Sequence, residues 1–110
     1  MIRIRVERNE QAEIERVLIT GHADFDESGK DIVCAAVSGI SIGMVNAIEE
    51  MFGVQMHADD DGDGKVDCRI PLHLDDPEKL AKIRLLLEAM VVSLRNMADE
   101  FPSYVKIRER

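Results

Sequence analysis

The sequence predicts an α+β domain in which two long helices pack on one face of a mixed or antiparallel sheet. Three observations carry that expectation. Residues 2–8 alternate apolar with charged side chains, as Ile2-Arg3-Ile4-Arg5-Val6 shows, which is the period of a half-buried strand. A run from Ile32 to Ile48 contains no charge and is too long for a strand. Leu80, Ile83, Leu86, Leu87, Met90, Val91, Leu94, Met97 and Ala98 then recur at helical spacing.

Taken in order, Asn9-Glu10 offers a turn and Ala12 to Thr20 a second strand, so the first two strands form a hairpin. The alternation slips around Arg16-Val17, where a bulge or a more fully buried strand end fits. A polar loop covers 21–31. The first helix is expected from about Asp31 to Phe52, with Asp31 or Ser28 as N-cap and Gly53 as its stop. Val54–Ala58 and Lys65–Ile70 read as strands joined by the acidic turn Asp59 to Gly64. Asp75-Asp76-Pro77-Glu78 opens the second helix, combining a cap, an early proline and acids at the positive end of the dipole. Phe101-Pro102 ends it, and Tyr104–Arg108 alternates as a last strand. The expected order is β-β-α-β-β-α-β.

At 110 residues the chain is one domain, 1–110, with a single core. Only four residues are aromatic, so that core must be aliphatic and rich in methionine. The net charge of −8 argues against a nucleic-acid-binding surface and permits a basic peptide as partner. Two cysteines in no paired pattern suggest a reducing cytoplasm. The uncharged run 32–48 sits at the short edge of what crosses a bilayer and lacks the usual basic flank, so a buried helix is expected and no membrane role.

The chemistry gathers where the second strand hands over to the first helix. His22 falls at the strand end and Cys34 in the first helical turn. Unpaired backbone N–H groups and the helix dipole favour a thiolate there, and a nearby imidazole could act as its base. The plain alternative is a small buried cysteine and a surface histidine. Asp31 has two competing readings, as helix cap or as the acid that orients His22. Ser38 follows Cys34 by one helical turn and could line the site, and Gly21 could allow a sharp turn or a close approach. Cys68 shares a strand face with Val66 and Ile70 and reads as core. Asp59, Asp61, Asp63 and Gly64 imitate a calcium loop, but Ile70 stands where the bidentate glutamate is needed, so no metal site is expected.

Gly21-His22-Ala23 together with Gly29-x-Asp31-x-Val33-Cys34-Ala35-Ala36-Val37-Ser38 resembles the signature of the ribosomal-processing cysteine protease family (Prp). That resemblance implies a cytoplasmic homodimeric endopeptidase, needing no cofactor, that removes the N-terminal extension of a large-subunit ribosomal protein. It implies His22 as base and Cys34 as nucleophile. It also implies a mobile substrate loop formed by Ala23, Asp24, Phe25, Asp26, Glu27, Ser28, Gly29 and Lys30. The rival is a non-catalytic dimeric module that binds a ribosomal or assembly partner, with Cys34 merely packed.

Overall fold

The structure is a computed structural model and describes residues 1–27, 31–58 and 65–109. Strands β1 (Ile2–Arg8) and β2 (Ile14–Thr20) precede helix α1 (Ile32–Phe52). Strand β3 (Lys65–Arg69), helix α2 (Pro77–Glu100) and strand β4 (Val105–Glu109) follow. The sheet runs β3-β2-β1-β4, antiparallel except for the parallel pair β1 and β4, so it is mixed as expected.

The β1–β2 hairpin is closed by Asn9, whose Oδ1 accepts hydrogen bonds from the Gln11 and Glu13 amides at 2.9 and 3.0 Å. This is the local side-chain-to-backbone bonding that makes asparagine a turn residue. The register shifts once, between Glu7 and Arg8, opposite Arg16. The alternation in the sequence slips at that same place.

Ile2, Ile4 and Val6 of β1 point to the helical side of the sheet, as does Val105 of β4. They join Val33, Val37, Val45 and Ile48 of α1 and Ile83, Leu87 and Leu94 of α2 in one aliphatic core. Each such side chain contributes about 1.5–3 kcal/mol relative to remaining in water. Helix α1 is long and apolar enough to cross a membrane by length and composition, but here it packs against α2 and the core.

Helix α1 begins where Asp31 caps it, its Oδ1 accepting from the amides of Val33 at 3.1 Å and Cys34 at 2.9 Å. It ends at Gly53, which takes the left-handed conformation (φ 64°) and donates to the Glu49 carbonyl at 2.9 Å. One expected element differs. The strand predicted at Val54–Ala58 is reduced to an isolated bridge between His57 and Cys68. The Glu49 carboxylate explains this, because it accepts the Met56 and His57 amides at 2.7 and 3.0 Å and diverts one of the amides a longer ladder would use. The acidic turn expected at 59–64 lies outside the described residues.

Candidate active site

Strand β2 delivers the chain to the site through a position only glycine fits well. Gly21 has φ +85°, and a Cβ placed there would stand 2.4 Å from the Met1 carbonyl oxygen. Gly21 thus allows a sharp turn and a close approach to the first strand, and it also lines the smaller of two cavities beside the Cys34 thiol. The backbone of His22 is fixed beside it, its carbonyl accepting a hydrogen bond from the Met1 amino group. The His22 side chain is left exposed.

Ala23, buried at 2% exposure, turns back under the helix start, and its N–H donates to Cys34 Sγ at 3.1 Å. Asp24 occupies the left-handed region (φ 56°). Phe25 then packs edge-to-face on Phe101 and Tyr104, with ring centroids 6.0 and 5.1 Å away, while its amide donates to Asp31 Oδ2 at 3.1 Å. So Ala23 and Phe25 of the expected substrate loop bond to the helix start, Asp24, Asp26 and Glu27 are exposed, and Ser28, Gly29 and Lys30 lie outside the described residues.

Cys34 is half-buried, the third residue of α1, and a free thiol. Two adjoining cavities open onto it. The larger, about 440 Å³, is lined by His22, Asp24, Asp26, Asp31, Cys34 and Ser38 among others. The smaller, about 200 Å³, is apolar apart from a few hydroxyls and shares His22, Cys34 and Ser38. Its wall also includes Ile19, Gly21, Val37, Ser41, Ile42 and Val66. The imidazole and the sulfur thus face the same space without a hydrogen bond joining them.

Asp31 resolves as cap and loop tie. Both its oxygens are engaged by amides, and none of its hydrogen bonds reaches His22. Partial burial pushes its carboxyl up, but bonds from the Cys34 and Phe25 amides and from the Cys34 thiol outweigh this and hold it below its ordinary 3.8. The same geometry decides which helix-start amides are free to serve the sulfur. The Val33 and Cys34 amides are taken by the Asp31 side chain and the Ala35 amide by its carbonyl, so the amide presented to the sulfur is that of Ala23. Among the described residues, no group of three or more His, Cys, Asp or Glu could hold a metal ion.

The polar residues of the site were legible because they are local to one loop. Ile19, Ser41 and Val66 of the smaller cavity were not. They come from three elements, and each reads in sequence as ordinary core. Ser41 is fully buried, its hydroxyl donating to the Val37 carbonyl at 2.8 Å. Only the packing of α1 over β2 and β3 shows that these residues border the thiol.

Comparison with known proteins identifies the family. The family model described as cysteine protease Prp matches residues 1–106. The ribosomal processing cysteine protease Prp of Bacillus subtilis is 35% identical over 97% of this chain and 96% of its own length. That of Staphylococcus aureus is 30% identical over 97% of each chain. A crystal structure of the essential ribosomal processing protease Prp from S. aureus, with a covalently linked product peptide, covers all of both chains at a TM-score of 0.80 and 30% identity. The same S. aureus enzyme in complex with a substrate peptide superposes over all of both chains at 0.73 and 28% identity. The chain therefore belongs to the cysteine protease Prp family.

Proposed function

We propose that this cysteine protease is an endopeptidase that removes the N-terminal extension of a large-subunit ribosomal protein, with Cys34 as nucleophile and His22 as general base. The observation that carries this is the placement of Cys34 Sγ in the first turn of α1, facing a cavity of about 440 Å³ that His22 also lines. The relatives named above are ribosomal processing proteases, and one was captured with a covalent product peptide.

In the reaction His22 takes the thiol proton, and the sulfur attacks the scissile carbonyl. The Ala23 N–H, which donates to Sγ at 3.1 Å, is the amide we assign to the developing oxyanion. His22 then protonates the leaving amine, and water releases the acyl-enzyme. Hydrogen bonds between catalytic groups are often loose before substrate binds, so substrate in the cavity brings His22 onto Sγ. Asp24 and Asp26 at the cavity favour a cationic peptide segment.

Two free cysteines suit a reducing cytoplasm. The outward side of α1 supports a homodimer, because Ile32, Ile42 and Met51 are exposed and, among the described residues, nothing packs within 4 Å of a Cβ at Gly39 or Gly43. The test is cleavage of synthetic peptides spanning the extension boundary, followed by mass spectrometry. Cleavage at one bond by wild type and none by Cys34→Ala supports the reading. Equal cleavage by both would end it, and no cleavage with intact peptide binding would favour the non-catalytic module.

A further inference from the structure

The face of the sheet opposite the helices carries a concentration of positive charge that the chain's total conceals. Arg3 and Arg5 of β1 point outward, since their neighbours Ile2, Ile4 and Val6 are buried on the helical side. The parallel pairing of β1 with β4 sets Arg3 beside Lys106 and Arg5 beside Arg108. Four basic residues therefore share one face at two successive outward register positions, their backbones about 7 Å apart along each strand and about 4.8 Å apart across the pair. They border a shallow cavity of about 260 Å³ with Leu18 and Thr20 on its other side.

Neutralisation on this face is partial and off-centre. Glu7 pairs with Arg5 at 3.0 Å and Arg16 at 3.5 Å, and Asp67 pairs with Arg16 and Arg69. Among the described residues no carboxylate pairs with Arg3, Lys106 or Arg108. Arg5 Nε is buried and finds no well-aligned hydrogen-bond acceptor, although Glu7 lies close. Like charges held this close repel one another, so a multivalent anion set on them would be stabilised.

We propose that this face is a docking surface for the phosphate backbone of RNA. A protein partner would need an apolar or aromatic anchor at the centre of its interface, and this face offers only Leu18 among its charges. Phosphate recognition needs no such anchor, and three of the four cations are arginines, whose planar fork matches phosphate oxygens. The acidic remainder of the molecule does not forbid contact, because repulsion from charges beyond about 8 Å is screened at physiological ionic strength. Thr20 of this face immediately precedes Gly21 and His22, so RNA held here would lie at the sheet end that carries the thiol.

Binding at this face is independent of peptide cleavage, and the test reads binding alone. A fluorescein-labelled oligouridylate is titrated with the full chain by fluorescence anisotropy over a salt series. Wild type is expected to bind, with log K falling against log salt at a slope of about −2 to −3, as three or four phosphate contacts on a single strand give. Arg3→Glu/Lys106→Glu is expected to weaken binding at least about tenfold. Lys79→Glu/Lys82→Glu on α2 makes the same change in net charge and should leave it unaltered. Circular dichroism checks each variant, and Arg3→Gln/Lys106→Gln replaces the double reversal if that one unfolds. No binding at low salt, a flat salt dependence or equal loss in the α2 control overturns the proposal. Tighter binding of a labelled polyglutamate peptide than of RNA also overturns it and assigns the face to an acidic polypeptide.

Discussion

The two cysteines of this protein occupy opposite physical settings. Cys34 sits at a helix start between two cavities, receives an amide hydrogen bond from Ala23, and has an imidazole across the open space. Cys68 is 1% exposed, paired with Val17 across β2–β3 and bridged to His57. Burial first, and then the charges of Asp67 and Glu49, push its thiol up to about 12. One residue type therefore serves as a reactive group in one place and as a small hydrophobe in the other. The backbone around it decides which: a helix start capped by Asp31 with the Ala23 amide turned onto the sulfur at Cys34, a sheet ladder around Cys68.

The largest effect that follows from this contrast is on activity. Cys34→Ala is expected to lower peptide cleavage by roughly 10⁴-fold or more, with thermal unfolding shifted little. Cys68→Ala should leave kcat near wild type and instead lower stability by about 1–3 kcal/mol through the lost packing. Cleavage assays and denaturant titrations on both variants read the two outcomes. Loss of kcat in Cys68→Ala with the fold intact would dissolve the distinction.

Next comes acid stability around β3. Asp67 is 2% exposed and bonded to Arg16 at 2.8 Å and Arg69 at 3.1 Å. The Arg16 hydrogen bonds lead in holding its carboxyl at about 2 against an ordinary 3.8. A depressed carboxyl stabilises the fold fully above its unfolded value, and that contribution fades as pH falls from 3.8 towards about 2. At about 1.4 kcal/mol per pKa unit it amounts to about 2 kcal/mol. Urea unfolding of Asp67→Asn should show that loss at neutral pH and a flatter acid limb.

The alkaline limb sharpens the same comparison. Unfolded chains release the Cys68 proton near its ordinary 9.0 while the folded state keeps it to about 12. Stability is therefore lost as pH rises through that window. In Cys68→Ala this part of the alkaline decline should disappear, and in Cys34→Ala it should persist.

The smallest effect concerns the helix start. Asp31→Ala removes the cap that serves Val33 and Cys34 and the tie to Phe25, at a cost of about 1 kcal/mol. Asp31→Asn keeps a capping oxygen and should restore most of that stability and activity. A loss of kcat in Asp31→Asn equal to that in His22→Ala would instead give Asp31 a role in orienting the imidazole.

Much of this was legible because it is local. The helix limits follow from Asp31 and Gly53, the hairpin from Asn9, and the site from residues bracketing one loop. What the sequence hid is set by distant partners. The run Val54–Ala58 has strand character, yet the Glu49 carboxylate takes amides at 56 and 57 and leaves one bridge. The contact of Gly21 with Met1, which leaves no room for a Cβ, joins residues 20 apart in the chain. The basic face is assembled by pairing residues 3 and 5 with 106 and 108, from opposite ends of the chain. No composition total or local window contains it.

The central claim is that Cys34 is activated by its surroundings and by His22. The most direct measurement is the iodoacetamide labelling rate at each cysteine, by mass spectrometry, across pH in wild type and His22→Ala. Fast labelling of Cys34 at neutral pH, slowed about tenfold or more in His22→Ala, with Cys68 unlabelled until the protein unfolds, is the expected result. Slow labelling of Cys34 that is indifferent to His22, with and without substrate peptide, would contradict it.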